Sequence, residues 1–318
     1  MRIVSLLPSA TEIVCSLGLR KHLVGVTHEC DFPPSVKHLP KVTRTLIPIE
    51  ASSGDIDRLV HERLHAERAL YSLDLPALQA LHPDLVVTQT LCNVCAVAES
   101  EVRAAVCVLP AAAEVVNLEP ETIREVFAAI RQVATAAGVD SAAEQVIGRL
   151  TDRVENVADR SERLESLPRV ALLEWLDPPF SCGHWNPELV RMAGGTEGLG
   201  QPGQPSRRLD WPDVMAWQPD AVFVSCCGFS VERTLEDVPL LWSVPGWQNL
   251  PAARAGRIHV TDGSQYFSRP GPRLVDSLEI LAHALHPEVH PLPDGLEGAL
   301  RVRNPGRDTV GRIASRLP

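Results

Sequence analysis

The sequence predicts an α/β protein made of two Rossmann-like lobes with parallel sheets, joined by a single long helix, with a ligand cleft between the lobes. Three features favour this fold: short apolar runs alternate with amphipathic segments, a Pro-Asp pattern recurs at a fixed offset, and a long charged segment separates two similar halves. Alternating strands and helices form parallel sheets that helices cover on both faces. The predicted parts are an N-terminal lobe at 1–139, a connecting helix at 140–167, a C-terminal lobe at 168–292 and an irregular basic tail at 293–318.

The connecting helix is predicted from one narrow apolar stripe on an otherwise charged segment. Apolar residues recur at three- and four-residue steps, for example Ala143, Val146, Ile147 and Leu150, and no proline interrupts residues 140–167. With a rise of about 1.5 Å per residue, such a helix spans roughly 40 Å. We expect it to be a rigid strut that limits movement of the lobes to a few degrees.

The first half starts with a short apolar run at residues 2–7, which predicts a buried parallel strand. A helix follows, because Ser9 and Glu12 have the spacing of a capping box and Gly18 ends the segment. Further strands and helices complete the alternation that the α/β class requires. The strands are predicted at 23–27, 85–88 and 114–117, and the helices at 75–81 and 119–137.

The second half repeats this order of elements. A helix is predicted from Pro187 with Asn186 as its cap. Apolar runs predict strands at 169–174 and 257–261, and an amphipathic segment predicts a final helix at 274–285.

One internal repeat relates the two halves. The segment LPALQALHPDLVVTQ matches WPDVMAWQPDAVFVS at a constant offset of 136 residues, which aligns Asp84 with Asp220, each after a proline. Several matches in one register indicate two related helix–turn–strand segments, one in each lobe.

Composition and charge limit the class of protein. With 318 residues, 45% of them hydrophobic and 22% charged, the chain can form two globular domains that each bury a core. A net charge of -10 argues against a nucleic-acid surface. No apolar run is long enough to span a membrane, and the first one is too short for a signal-peptide core. As written, the chain is therefore expected to be cytoplasmic, and periplasmic only if a leader has been removed.

The loops that follow the predicted strands contain the unusual residues, and ligands of such sheets bind beyond the carboxyl ends of the strands. Aromatic residues make up only 4% of the chain but concentrate in these loops, which favours a large flat or apolar ligand. We expect about half of the rings to pack the loops onto the sheets instead. The candidate ligand-binding residues are Ser9, Phe32, Trp175, Phe180, Trp185, Phe229, Tyr266, Phe267 and Arg269.

Two further sets of polar residues lie in these loops. Arg269 and Arg273 flank a Pro-Gly-Pro turn and suit an anionic group, or alternatively a structural salt bridge with Asp262 or Glu174. Cys and His residues suggest a zinc or iron site, or alternatively small buried side chains. The candidate metal ligands are Cys92, Cys95, His184 and Cys226, with Cys182, Cys227, His28 and Cys30 as further possibilities.

Two sequence motifs of common enzyme classes are missing: the chain contains no P-loop and no GxSxG elbow. HERLH at residues 61–65 matches the HExxH pattern, and GLGQPG at residues 198–203 matches the GxGxxG pattern. Glu174 and Asp177 could form a carboxylate pair, but nothing distinguishes them from loop-capping acids. Nucleotide hydrolysis through a P-loop and serine-hydrolase chemistry are therefore not indicated, and the eight cysteines are expected to be thiols or ligands rather than disulfides.

Four segments together resemble a known family. RIVSLLPSATEIVCSLGL, LVGVTHECDFPP, DPPFSCGHWNPELVRMAGG and YFSRPGPRLVDSLEILAHALHP are similar to the BtuF-like vitamin B12-binding proteins of ABC importers, which belong to the helical-backbone class of periplasmic binding proteins. The first segment is shared with siderophore and haem binders. The resemblance implies a ligand in a cleft between two lobes, an ABC permease as partner and no catalysis. It also implies that Trp185 and Tyr266 lie close to positions where rings hold the corrin.

The resemblance also points to acidic residues for permease docking. The first-lobe position falls near Glu99 or Glu101, whereas Thr196 occupies the second-lobe position and Glu197 comes one place later. The Cys/His loops have no counterpart in the B12 importer protein.

Three functions follow from these observations. The first is an ABC-transporter-type substrate-binding protein for cobalamin, another corrinoid or a similar metal chelate such as haem or a siderophore. His184 or His28 would then serve as an axial ligand. The second is a cytoplasmic metalloenzyme or metal-binding protein with zinc or iron at the Cys/His loops. The third is a redox or scaffold protein that uses the fold without a small ligand.

Overall fold

The computed structural model describes residues 1–48, 50–66, 70–89, 102, 104–106, 113–303 and 314–316. The chain divides into two compact units. Unit 1 comprises Met1–Leu150 and Pro270–Pro272, and unit 2 comprises Thr151–Arg269 and Arg273–Pro318. Each unit has its own sheet and its own helices, which confirms the predicted two-part α/β class.

Unit 1 is built on a parallel sheet of four strands in the order β2-β1-β5-β6. A separate pair of antiparallel strands, β3 and β4, lies outside this sheet and was not predicted. The strands are β1 Ile3–Ser5, β2 Leu23–Val26, β3 Thr43–Thr45, β4 Tyr71–Leu73, β5 Leu85–Gln89 and β6 Glu114–Leu118. The helices are α1 Pro8–Ser16, α2 Ser53–His65, α3 Leu75–Ala80 and α4 Ile123–Ala137.

The core of unit 1 follows from its apolar strands. All five residues of β5 are buried, because this strand lies between β1 and β6 and helices cover both faces. α4 packs a buried stripe that includes Val126, Ile130 and Val133. Thr122 begins this helix with a capping box, and Gly138 ends it in the left-handed region at φ 69°.

The capping box predicted from Ser9 and Glu12 is wrong. α1 begins at Pro8, a residue suited to the first helical turn because its missing N–H would have no partner there. Leu7 therefore takes the N-cap position without a side-chain hydrogen bond, and Ser9 lies inside the helix. Both Ser9 and Glu12 are buried instead of exposed at a helix end.

The predicted connecting helix is present as α5, Asp140–Ser161, and runs without a break across the boundary between the two units. It ends six residues before the predicted end at residue 167. Leu164 packs against Gly194: a Cβ placed on this glycine would lie only 2.4 Å from Leu164 Cδ1. The chain after the helix is therefore packed against the body of unit 2. Pro168 follows, and a proline disfavours helical geometry in the residue before it.

Unit 2 contains one larger sheet. Its strands are β7 Arg169–Leu176, β8 Pro179–Ser181, β9 Thr196–Glu197, β10 Ala221–Val224, β11 Ile258–Val260, β12 Leu300–Val302 and β13 Ala314–Arg316. Its helices are α6 Asn186–Met192, α7 Trp211–Trp217, α8 Val231–Asp237, α9 Pro239–Ser243, α10 Pro251–Ala255 and α11 Leu274–Leu285. Within the described residues of the chain, no helix is both long and apolar enough to cross a membrane.

The predicted parallel sheet of the second lobe is present, and antiparallel strands extend it on both sides. β9, β7, β10 and β11 are parallel, whereas β8, β12 and β13 pair antiparallel. Only residues 177 and 178 separate β7 from β8, and so short a connection cannot make the crossover that a parallel pair needs. The tail predicted as irregular contributes β12 and β13, which are too short to show periodicity.

The predicted repeat is present in both units. α3 and β5 begin at residues 75 and 85, and α7 and β10 begin 136 residues later. Asp84 accepts a hydrogen bond from the backbone N–H of Arg2 at 2.6 Å, and Asp220 accepts one from Arg169 at 2.9 Å. The backbone N–H of each aspartate donates back to the carbonyl of the same arginine. The repeated aspartate therefore joins the start of its strand to the start of the neighbouring strand.

Candidate ligand-binding site

Unit 2 carries a group of aromatic side chains in the loops after β7, β10 and β11. The ring of Trp175 at the end of β7 lies 4.6 Å from the ring of Phe229, measured between centroids. The guanidinium of Arg233 lies over the other ring of this pair, 4.3 Å from the Phe229 centroid. This packing holds Trp175 while leaving it partly exposed.

Three of the predicted ligand-binding rings are buried: Trp185, Phe229 and Phe267 are 5%, 8% and 1% exposed. The indole Nε1 of Trp185 donates to the carbonyl of Phe267 at 2.7 Å, and the Phe267 ring packs on Phe223 at 5.2 Å. These contacts fix the loops to the sheet. Trp175, Phe180 and Tyr266 are the predicted rings of unit 2 that stay partly exposed.

Glu174 joins two of these loops to β7. Its Oε1 accepts hydrogen bonds from the backbone N–H of Gly183 at 3.0 Å and from Asn186 Nδ2 at 2.7 Å. Burial raises the pKa of Glu174 to about 7, against the opposing effect of these hydrogen bonds. The prediction that Asn186 caps its helix is wrong: Trp185 is the N-cap, and the Asn186 amide turns to Glu174.

Tyr266 belongs to a loop that aspartate and arginine side chains hold in place. Asp262 Oδ1 accepts the backbone N–H groups of Ser264 and Gln265, at 2.9 and 3.0 Å. Arg273 donates to Gln265 Oε1 at 3.2 Å, and its guanidinium carbon lies 5.6 Å from the centroid of the Tyr266 ring. Burial raises the pKa of Tyr266, so its phenol is neutral near pH 7. Arg269, the predicted anion-binding residue, is 9% exposed.

Unit 1 has its own cluster after β2. His28 Nδ1 lies 2.9 Å from the hydroxyl oxygen of Thr43, and its ring lies 5.6 Å from the ring of Tyr71. Burial, together with the charge of Lys41, lowers the pKa of His28, so the imidazole is neutral near pH 7. Phe32 is 40% exposed nearby in sequence.

Two further residues of unit 1, Tyr71 and Ser9, bear on the predicted site. Tyr71 was missed by the sequence analysis because it lies in β4, one of the two strands that were not predicted. Composition held a signal, since the chain has only two tyrosines, Tyr71 and Tyr266. Ser9, a predicted ligand-binding residue, is 2% exposed, and Gly271 packs on its backbone.

The thiols do not form a metal centre in the described part of the chain, where no group of three His, Cys, Asp or Glu residues could hold an ion. Cys182 and Cys226 are buried, and burial raises the pKa of both thiols well above the ordinary value. Coordination of zinc or iron by these two cysteines would require thiolates, which this burial disfavours. His184 stacks on Trp185 with 5.4 Å between centroids. The other candidate ligands, Cys92 and Cys95, lie outside the described residues, as do Glu99 and Glu101.

Glu197, the alternative docking acid, has a structural position. Its Oε1 accepts the backbone N–H groups of Gly198, Leu199 and Gly200, at 3.0, 2.6 and 3.0 Å. Burial raises the pKa of its carboxyl, which opposes the effect of these hydrogen bonds. A carboxylate held in this way by its own loop is not presented to a partner. Thr196, the residue at the docking position, is exposed.

The described residues form two α/β units, and the aromatic rings of unit 2 lie near the carboxyl ends of its parallel strands. The chain belongs to the family described as Periplasmic binding protein, whose sequence profile matches residues 3–264. Proteins of this family bind solutes without catalysing a reaction.

Individual proteins are similar to the chain over most of its length. An uncharacterised ABC transporter substrate-binding lipoprotein of Bacillus subtilis is 22% identical over 293 residues, 90% of this chain and 80% of that protein. A vitamin B12-binding protein of Vibrio cholerae is 21% identical over 282 residues, 87% of this chain and 86% of that protein. A periplasmic haem-binding protein of Pseudomonas aeruginosa has the same fold, with a TM-score of 0.71 at 21% identity, covering 95% of this chain and 99% of that one.

Proposed function

We propose that the chain is an ABC-transporter-type substrate-binding protein for a flat metal chelate, either cobalamin or a related corrinoid or haem. The observation that carries the proposal is the set of three partly exposed rings in unit 2, Trp175, Phe180 and Tyr266, of which Trp175 and Tyr266 are held in position by other side chains. Similarity to proteins named for vitamin B12 and for haem supports this ligand class.

The physical basis is the match between rigid aromatic rings and a macrocycle. Aromatic side chains bury large apolar areas, and offset or edge-to-face contacts between rings add about 0.5–1.5 kcal/mol each. Trp175 is already oriented by Phe229 and Tyr266 by Arg273, so little conformational entropy is lost when a ligand binds. The arginine beside Tyr266 suits the propionate groups of haem or the amide oxygens of a corrinoid.

Unit 1, taken by itself, offers His28 as a candidate ligand to a metal. A neutral imidazole suits cobalt and iron, and the pKa of His28 lies below its usual value. The contact of Nδ1 with the Thr43 hydroxyl can orient the ring, and Nε2, which lies 4.0 Å from Glu29 Oε1, is the nitrogen proposed for coordination. His184, the alternative axial ligand, stacks on Trp185 and has a backbone φ of 51°.

The binding proposal is tested by measuring dissociation constants for haemin and cyanocobalamin from the quenching of tryptophan fluorescence. For the ligand that binds, Trp175→Ala is expected to weaken affinity about tenfold or more, because a ring contact and its buried area are lost. Trp175→Phe keeps an aromatic face and should retain most of the affinity. Equal affinities of wild type and Trp175→Ala for both ligands would contradict the proposal.

The partner and the site of action follow from the family and are also proposals. Proteins of this family are normally periplasmic or otherwise extracytoplasmic, so we propose ligand capture outside the cytoplasm, in place of the cytoplasmic location expected from the first residues. An ABC permease is the proposed partner. Fractionation of cells that express the chain from its own gene tests the location, and recovery only with cytoplasmic markers would contradict it.

A further inference from the structure

A second candidate site lies in unit 2, at the end of the sheet where the parallel strands begin. A cavity of about 630 Å³ opens there, lined among others by Pro168, Asp220 and Arg257, the residues directly before β7, β10 and β11. The rings of the proposed chelate site follow the carboxyl ends of these same strands. The cavity and the rings therefore lie at opposite ends of the strands of the same sheet. The cavity volume is within the range of small-molecule sites.

The residues that line this cavity include one buried imidazole whose ring nitrogens have no hydrogen-bond partner among the described residues. His259 is 2% exposed, and neither of its ring nitrogens has a hydrogen-bond partner within the described residues. Its ring stacks on Phe223 at 6.3 Å. A neutral imidazole offers one donor and one acceptor, and buried polar atoms of this kind are normally paired. The unpaired nitrogens indicate that a polar molecule belongs beside His259.

Two arginines face the same cavity and are fixed by backbone carbonyls. Arg257 Nη2 donates to the carbonyl of Leu285 at 2.8 Å. Arg301 donates through Nη2 to Ala255 at 2.7 Å and through Nε to Gly256. A guanidinium has five N–H donors, and these bonds use one donor of Arg257 and two of Arg301. Both side chains are thus oriented while most of their donors remain for another partner.

Charged residues of both signs line the cavity. Burial lowers the pKa of Arg257; the carboxylate of Asp220 opposes this effect, the positive charge of Arg301 adds to it, and the carboxylate of Glu288 opposes it. Of the two acids at the cavity, Asp220 is held by the backbone N–H of Arg169 at 2.9 Å and by its Nε at 3.4 Å. The other, Glu288, is exposed at the rim. An anion between the arginines would relieve their repulsion.

We propose that this cavity binds a small oxyanion, a phosphate or a carboxylate group, held by Arg257 and Arg301 with a hydrogen bond from His259. Guanidinium groups match the geometry of phosphate and carboxylate, and a neutral imidazole can donate one N–H to an anionic oxygen. The proposal does not depend on the chelate ligand, since the residues of the anion site lie at the opposite end of the strands. The opposing account is that both arginines only cap the ends of α10 and α11.

The test compares thermal unfolding of the full chain in sodium phosphate, in sodium acetate and in sodium chloride at matched ionic strength. Phosphate or acetate is expected to raise Tm above the value in chloride, with one anion bound per chain by calorimetric titration. A response to phosphate alone assigns a phosphate site, and a response to acetate alone assigns a carboxylate site. Equal Tm values in all three salts would overturn the proposal.

Variants separate binding from a capping role. Arg257→Gln is expected to weaken anion affinity about tenfold or more. His259→Phe is expected to fold with a Tm in chloride at or above the wild-type value, because an unpaired buried imidazole is replaced by an apolar ring, and to lose most of the anion response. Arg254→Gln changes an exposed arginine of α10 outside the cavity lining and should respond as wild type. An unchanged anion response in both Arg257→Gln and His259→Phe would overturn the proposal.

Discussion

The two units share the same α/β scaffold but differ in the side chains that follow their strands. Asp84 in unit 1 and Asp220 in unit 2 make the same paired hydrogen bonds to the start of the first strand of their sheet. After the strands the likeness ends: unit 2 has a cluster of aromatic rings, whereas unit 1 has His28 beside Tyr71. The repeat therefore serves the fold, and the loops that differ are the candidates for ligand recognition.

The connecting helix shows a second difference between the units. Near its start, Glu144 pairs with Arg131 of α4, and both side chains are exposed. Near its middle, Arg153 pairs with Asp276 and Glu279 of α11, whose side chains are only 21% and 11% exposed. The helix is thus joined by a surface ion pair to unit 1 and by a partly buried network to unit 2.

The largest predicted effect comes from breaking this network. Arg153→Ala is expected to lower the free energy of unfolding by about 2–3 kcal/mol, since two partly buried carboxylates lose their counterion and face each other. Arg131→Ala, the matched control on the unit 1 side, removes a fully exposed pair and should change stability far less. Urea unfolding of both variants measures the difference. Equal losses of stability would show that the partly buried network contributes no more than the exposed ion pair.

The paired aspartates provide the second prediction. Asp220→Ala is expected to cost about 1–2 kcal/mol, because the backbone N–H of Arg169 loses its acceptor in a half-buried position. Asp84→Ala should cost less, since the Asp84 carboxylate is 59% exposed and water can replace it. Urea midpoints of the two variants decide the order. A larger loss for Asp84→Ala would show that burial does not set the cost of this bond.

The third prediction concerns the pH dependence of stability. The pKa of Glu174 is raised in the folded protein to about 7, so the native state holds a proton that the unfolded chain releases near pH 4.5. Stability from this group is therefore greatest below pH 4.5 and is lost as the pH rises to about 7, by roughly 1–3 kcal/mol.

Glu174→Gln should remove this dependence while keeping an oxygen that accepts from Gly183 and Asn186. Denaturant unfolding at pH 5 and pH 7 is expected to show a larger drop for wild type than for the variant. Asp177→Asn changes an exposed carboxyl three residues further along the chain and should keep the wild-type drop. The same pH slope in wild type and Glu174→Gln would contradict the assignment.

Much of the fold could be predicted because its signals are local and repeated. The helix at residues 274–285 has the predicted bounds, and the two repeated segments begin at the predicted offset. The strand pairs β3–β4 and β12–β13 could not be predicted, because these short strands lack the apolar run that marks β1 and β11 in the sequence.

The sequence predicted which segments contain the candidate site, but not which of their rings are exposed. Nothing in the local sequence shows that Trp185 donates to Phe267, 82 residues away, and so becomes part of the core. Trp175 lies at the end of β7 and stays partly exposed. Which ring is buried depends on packing between distant segments, and this information is absent from periodicity or residue type. The same holds for Tyr71, whose place beside His28 depends on the pairing of β3 with β4.

The central claim is that this chain binds a flat metal chelate. Visible absorbance during titration of the purified full chain into haemin and, separately, into cyanocobalamin tests it most directly. We expect a saturating spectral change with one of the two at micromolar concentration and a one-to-one end point, altered in His28→Ala if the imidazole coordinates the metal. Spectra that stay those of the free chelates, at every protein concentration and for both compounds, would contradict the claim.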